Sequence, residues 1–208
     1  MGLNQPSRRP TSHPLRRNTE GFYWFSQLRQ HVWYESMEEY TALMRLDHLR
    51  PITAIVTQPM RIDFTDGSAH FPDIFVEHID GRQELCNVRP ASLIDAKTEQ
   101  QFANTEAICS EIGWKHQVLP ELSRIERHNL EWIAAYRHRR HAPTPLCRAL
   151  TLAAAEPECT FGAVWDVCKR SGEEHAVAGL YHLMWKRELL FDASQPLQPS
   201  TSVRRAVA

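Results

Sequence analysis

From residue 60 to residue 65 apolar and polar side chains alternate one for one. Met60, Ile62 and Phe64 stand against Arg61, Asp63 and Thr65, the period of a strand with one buried face. The apolar run 54–57 predicts a short strand before it, and 71–78 predicts the returning strand after it. Asp66-Gly67 supplies the hairpin turn between them. Asp80-Gly81 makes a second turn into a further strand over 83–89. Helical spacing takes over on both sides of this meander. Ser36 is placed as an N-cap, with Glu38 and Glu39 in the first turn of a helix running to about Leu49, where Pro51 stops it. Met37, Tyr40, Met44 and then Asp47 or His48 trace one face of that helix, broadened by Leu43 and Leu46. Residues 96–112 read as a second helix with Phe102, Cys109 and Ile112 on one face and Gly113 just past its end. A short strand over 115–119 follows. Aromatics crowd residues 22–33 and predict an edge strand or docking segment.

After Pro120 the pattern turns helical. A helix is expected over 124–139, ending in the basic cluster Arg137-His138-Arg139-Arg140-His141, where cations favour a helix C-terminus and could also meet phosphates. Pro143 and Pro145 break the chain before a helix over 146–154. Thr160 caps a helix to Lys169, Ser171-Gly172 turns, and 173–187 forms a helix buried along Val177, Leu180, Tyr181, Met184 and Trp185. Leu189-Leu190-Phe191 is a candidate wing strand. Helix, glycine turn, helix and short strand is a winged-helix order. From Ser194 on, the Pro- and Ser-rich sequence is expected to be unstructured.

Composition narrows little. The 208 residues include a 42% hydrophobic and 24% charged share, ordinary for a globular chain with a real core. The net charge of −1 gives no global argument for nucleic acid, so any such binding must come from local basic patches. Five cysteines, an odd number with no CxxC pair, point to a reduced intracellular protein, hence a cytoplasmic one. Cys159, Cys168, His175 and His182 do not match a zinc-finger spacing and read as core thiols and helix-surface histidines. No apolar run approaches a membrane span. Residues 1–20 lack the hydrophobic stretch of a secretory signal and form a basic leader, in which Arg16 and Arg17 are candidate phosphate contacts.

The chemistry gathers around Ser68-Ala69-His70-Phe71-Pro72-Asp73. Asp73 opens an apolar strand just after a proline. Asn87 and Arg89 share a face of the next strand, being two apart. Glu35 and Glu39 lie four apart near the start of the first helix, so both carboxylates can face one place. An aspartate on one strand, followed by an acid or amide, any residue and a cation on the next, is the layout of a metal-dependent nuclease.

The ordered series Tyr34-Glu35-Ser36-Met37-Glu38-Glu39, Leu46-Asp47, Ile55-Val56-Thr57-Gln58-Pro59, His70-Phe71-Pro72-Asp73 and Val88-Arg89-Pro90 resembles the TnsA-like endonuclease subunit of heteromeric transposases, over roughly residues 30–120. The resemblance implies an α/β fold with a restriction-endonuclease-like core, a mixed sheet flanked by helices, over residues 21–120. A small helical, winged-helix-like domain would follow over 121–192, then a disordered tail over 193–208. It implies Mg²⁺ or Mn²⁺ held by Asp73, Glu39 and the carbonyl of Val88, with Gln58 as the glutamine of the Gln-Pro motif. Implied partners are DNA, a DDE-type transposase subunit and an AAA+ ATPase regulator.

Two positions depart from the family pattern. Asn87 stands where a charged ligand is usual, and Arg89 where lysine is usual. Asn87 brings no charge, and Arg89 can steady a phosphorane but does not readily orient or deprotonate water. Three readings therefore stay open. The chain is an endonuclease subunit cutting at transposon ends, a degenerate DNA-binding and assembly subunit of the same machine, or a stand-alone nuclease-fold protein of repair or restriction. With few charged ligands, metal affinity is expected to be poor until a DNA phosphate adds an oxygen.

Overall fold

The structure is a computed structural model that describes residues 19–49, 51–156 and 159–207. Residues 1–18 of the basic leader, Arg16 and Arg17 among them, lie outside the described residues. The chain separates into two compact units between Glu121 and Leu122.

In the first unit the aromatic segment is a hairpin, β1 (Gly21–Phe25) antiparallel to β2 (Gln30–Tyr34). Helix α1 (Met37–Leu49) follows and buries Ala42, Leu43, Met44 and Leu46. Asp47, also buried, reaches back from α1 to the hairpin. Its carboxylate accepts from the Tyr23 hydroxyl at 3.0 Å, the Ser26 N–H at 2.8 Å and hydroxyl at 3.0 Å, and the Gln27 N–H at 3.1 Å. Four donors on one carboxylate clasp hairpin to helix.

Strand β3 (Ile52–Thr57) comes next. The alternating stretch forms only a two-residue strand, β4 (Ile62–Asp63), paired with β5 (Ala69–His70) around the Asp66-Gly67 turn, where Gly67 takes φ +81°. The returning strand is split. Pro72, which has no N–H to donate, separates β5 from β6 (Ile74–His78). Strand β7 (Gln83–Val88), helix α2 (Ala96–Glu111) and β8 (Lys115–Leu119) complete the unit. The sheet runs β3-β6-β7-β8, antiparallel except for the parallel β7–β8 pair.

Phe75 and Leu85 are cross-strand partners on the face that α2 covers, where Ile62, Phe64 and Cys109 close the core. Ile112, expected on that buried face, is 56% exposed. It is the C-cap, where the helix has already ended and the chain turns through Gly113 at φ +76°.

In the second unit α3 (Arg124–Ala134) starts with a capping box between Ser123 and Glu126. It stops short of the expected Arg139 because the Arg137 guanidinium takes the Ala134 carbonyl at 2.7 Å, closing the last turn. Arg139–His141 then form a 3-10 turn, so the basic cluster sits beyond the helix. Helix α4 (Pro145–Ala154), β9 (Cys159–Thr160), α5 (Phe161–Arg170) and α6 (Ala176–Trp185) follow. Thr144 caps α4 and Thr160 caps α5.

Helix α6 begins three residues later than its periodicity suggests, because Gly172 and His175 both take positive φ. It buries Leu180, Met184 and Trp185, while Trp165 of α5 is half-buried. His182, expected on a helix surface, is buried and bonds the Tyr136 carbonyl through Nδ1 at 2.7 Å. The unit ends with β10 (Leu189–Phe191) and β11 (Ser202–Arg205), in a sheet ordered β10-β11-β9. The tail expected to be unstructured thus supplies the central strand. Val203 is buried there and pairs with both neighbours. One apolar residue among polar ones was enough to anchor it.

Among the described residues no helix is long and apolar enough to cross a membrane.

Candidate active site

Asp73 sits between β5 and β6, half-buried, with its backbone carbonyl accepting the Gln58 N–H at 2.8 Å. Its Oδ2 accepts the Val88 N–H at 2.7 Å and the Asn87 amide at 3.2 Å. Among the described residues nothing hydrogen-bonds its Oδ1. Burial pushes its pKa up to about 6, against the bonds from Val88 and Asn87 and the attraction of Arg89, and with added repulsion from Glu35.

Glu39 is buried at the start of α1. Ser36 caps the Glu39 N–H at 3.1 Å, and the Glu39 carboxylate reaches back to the Glu35 N–H at 2.9 Å and the Ser36 hydroxyl at 3.2 Å. This is a capping-box exchange displaced by one residue. Desolvation lifts the Glu39 carboxyl to about 7, and the charges of Asp73 and Glu35 add to that. Glu35 does not lie on the helix. It falls between β2 and α1, because Ser36 takes the cap position, yet it still faces the other two acids and accepts from the Gln58 side-chain amide.

Gln58 leaves β3 at φ +47°, a left-handed conformation uncommon for a residue with a side chain. That turn places its N–H on Asp73 and its amide on Glu35, so one strained residue joins two acids from separate elements.

Asn87 is buried and engaged through both its nitrogen and its oxygen. A carboxylate repels an amide oxygen, so the Asn87 N–H₂ faces Asp73 and its Oδ1 faces away. That oxygen meets His70 Nε2 at 3.1 Å and His116 Nε2 at 2.9 Å. Both imidazoles therefore carry their proton on Nε2. Burial holds each below its ordinary basicity, so they are neutral donors.

Arg89 lies just past the end of β7, exposed, its Nε on the Leu93 carbonyl at 2.9 Å, and close enough to Asp73 to lower its pKa. Val88 meets the site through its N–H. Glu39, Gln58, Asp73, Asn87, Val88 and Arg89 therefore converge, with Glu35 added. Arg137, Arg139 and Arg140 belong to the second unit. Arg139 and Arg140 are exposed on the 3-10 turn, and Arg140 Nε meets His141 at 3.2 Å.

The sequence reading missed the two histidines behind Asn87. His70 was visible as part of the Pro-Asp stretch but not as a partner of Asn87. His116 had no signal, since it reaches Asn87 through the parallel register that sets Leu85 opposite His116.

Among the described residues no three His, Cys, Asp or Glu side chains gather as a metal-binding group. In charge, however, the site suits a cation. Two carboxyls are raised by burial and by neighbouring acids, Glu39 by Asp73 and Glu35 and Asp73 by Glu35, and among the described residues nothing hydrogen-bonds Asp73 Oδ1. Mg²⁺ commonly takes one or two carboxylates and keeps its waters, which these residues fit. Compared with known protein families and with curated proteins, the sequence matches none.

Proposed function

We propose that the protein is a TnsA-like endonuclease subunit that cuts DNA at transposon ends beside a DDE-type transposase, with an AAA+ ATPase as a further partner. The observation that carries this reading is the meeting of Glu39, Gln58, Asp73 and Arg89 around one group of bonds and charges. Four dispersed motif positions have no structural need to converge. The order α1, antiparallel β3-β6-β7, α2, parallel β8 supports a restriction-endonuclease-like core. The order α4, β9, α5, α6, β10, β11 with sheet order β10-β11-β9 supports a winged-helix-like second domain.

On this reading Asp73 and Glu39, with the Val88 carbonyl, hold Mg²⁺ or Mn²⁺, which activates water and offsets charge on the scissile phosphate. Asp73 is aimed by Val88 and Asn87. Arg89 releases the Leu93 carbonyl to meet the phosphate, and Gln58 fixes the spacing between Asp73 and the α1 end.

One observation favours a second reading, a DNA-binding and assembly subunit with a silent site. Asn87 has no spare capacity for a metal, because its oxygen serves two histidines and its nitrogen serves Asp73. The two readings part in one experiment, calorimetric titration of Mn²⁺ into wild type and Asp73→Ala, followed by nicking of transposon-end DNA with the partner transposase present. The nuclease reading expects measurable Mn²⁺ binding and nicking in wild type, and a loss of more than about 100-fold in both on substitution, since even outer ligand-orienting groups are worth 10–100-fold. Wild type that binds DNA but nicks nothing, with no change on Asp73→Ala, belongs to the silent subunit.

A further inference from the structure

The second unit holds a pocket of about 620 Å³ that the nuclease reading does not use. Phe161 and Tyr181 form its aromatic floor, and Trp132 of α3 is one wall. Pro196 and Leu197, between β10 and β11, close the far side. The volume falls in the range of small-molecule sites.

Trp132 is 49% exposed yet fixed. Its ring meets that of Tyr181 edge-on at 6.1 Å and lies tilted against that of His128 at 6.4 Å. Tyr181 is itself locked, stacked on Tyr136 at 4.7 Å and met edge-on by Trp165 at 5.8 Å. A half-exposed indole on a surface helix is ordinarily free to rotate. This one is braced by ring contacts to a buried aromatic cluster, so a flat ligand could stack on it at little entropic cost.

Charge narrows the ligand. Arg124 and His128 precede Trp132 at intervals of four along α3, so the three share one helix face. Both line the pocket, and among the described residues no carboxylate does. A planar aromatic wall beside one guanidinium and one imidazole, both able to donate to a phosphate, fits a ligand that is flat at one end and anionic at the other.

We propose that this pocket binds a nucleotide, its base stacked on Trp132 and its phosphate held by Arg124 and His128. The occupant is an unpaired nucleotide at a DNA end, which deepens the reading of the protein as a DNA-end endonuclease subunit and rests on it. Stacking of a base on an aromatic side chain is sequence-tolerant, and substitution of such a residue by alanine costs 1–3 kcal/mol, a loss of about 5- to 150-fold. A phosphate contact adds a salt-dependent term of about one counterion.

The test is fluorescence anisotropy on the full chain in EDTA, so that the carboxylate site contributes no metal-linked binding. A labelled blunt duplex is compared with the same duplex carrying a short single-stranded overhang. The overhang should bind about tenfold more tightly. Trp132→Ala should erase that preference, Trp132→Phe should keep most of it, and Arg124→Ala should weaken binding and flatten its salt dependence. Equal affinity for the two duplexes, or a preference that survives Trp132→Ala, overturns the proposal. Displacement by dAMP at lower concentrations than the unlabelled overhang requires assigns the pocket to free nucleotides and overturns the DNA-end occupant. The endonuclease reading fails separately, through absent Asp73-dependent nicking, and leaves these binding results in place.

Discussion

Asn87 donates its amide to Asp73 at 3.2 Å while the oxygen of the same amide is shared by His70 and His116. The amide thus acts as a spacer between an acid and two neutral imidazoles. It aims the Asp73 carboxylate with a donated N–H.

Asn87→Asp should therefore have two opposed effects. It sets a carboxylate against Asp73, which raises repulsion at a site already burdened by desolvation, and the metal-free protein should melt several degrees lower. Mn²⁺ should restore the loss and bind about tenfold more tightly than in wild type, since ligand charge sets affinity. Thermal melts with and without Mn²⁺ would show a larger metal-induced shift in the variant. An equal shift in both proteins would mean that position 87 does not face the cation.

The raised acids set a pH dependence with a definite sign. Glu39 at about 7 and Asp73 at about 6 keep protons that the unfolded chain releases near their ordinary values of 4.5 and 3.8. Folded protein binds more protons across that window. The stabilisation is full below about pH 4 and fades as pH rises to about 7. Each group accounts for about 2 kcal/mol after allowance for solvent screening at half-exposed Asp73. Denaturant midpoints without metal should fall from pH 5 to pH 8, and Glu39→Gln should flatten the fall. Mn²⁺ should stabilise most at the alkaline end, where both carboxylates are charged.

Asp47→Ala should cost about 3–4 kcal/mol, because it leaves the Tyr23 hydroxyl, the Ser26 and Gln27 N–H groups and the Ser26 hydroxyl without their shared acceptor. Urea unfolding measures this directly. The loss should come without any change in the stability of the second unit, followed by the fluorescence of Trp132, Trp165 and Trp185 once the other tryptophans are replaced by phenylalanine.

Gly179→Ala should destabilise the second unit despite alanine's better helix propensity. A Cβ there would lie 2.8 Å from the Pro143 Cβ and 3.3 Å from its Cα. The pyrrolidine ring cannot swing aside as a flexible side-chain end would. Overpacking of this kind costs 1–3 kcal/mol, against about 1 kcal/mol gained in propensity. A melting point at or above wild type would show that the segment around Pro143 yields.

The elements closest to the sequence expectation are those with local causes. The Ser36 cap, the Asp66-Gly67 turn and the α5 start at Thr160 depend on residues a few positions apart. The acids were legible for the same reason, since Glu39 and Asp73 sit at marked points, a helix start and the residue after a proline. His116 was not, because a parallel strand pairs across the whole of α2 and its register leaves no trace in periodicity. β11 was hidden too. Its buried apolar anchor is Val203, and its partners are β10 across the loop 192–201 and β9 beyond α5 and α6.

Helix α6 turns eight of its ten residues inward: Ala176 and every position from Gly179 to Trp185. A helix that reads base edges must present a polar face to the major groove, and this one has none to present. On the proposed DNA-binding reading, the second unit would contact DNA from elsewhere, such as Lys169 and Arg170 at the end of α5, Arg204 on β11 or the turn at Arg139 and Arg140. Those side chains grip backbones better than they spell bases. If the proposed function holds, a protein built this way would follow DNA to wherever a more selective companion had already placed it.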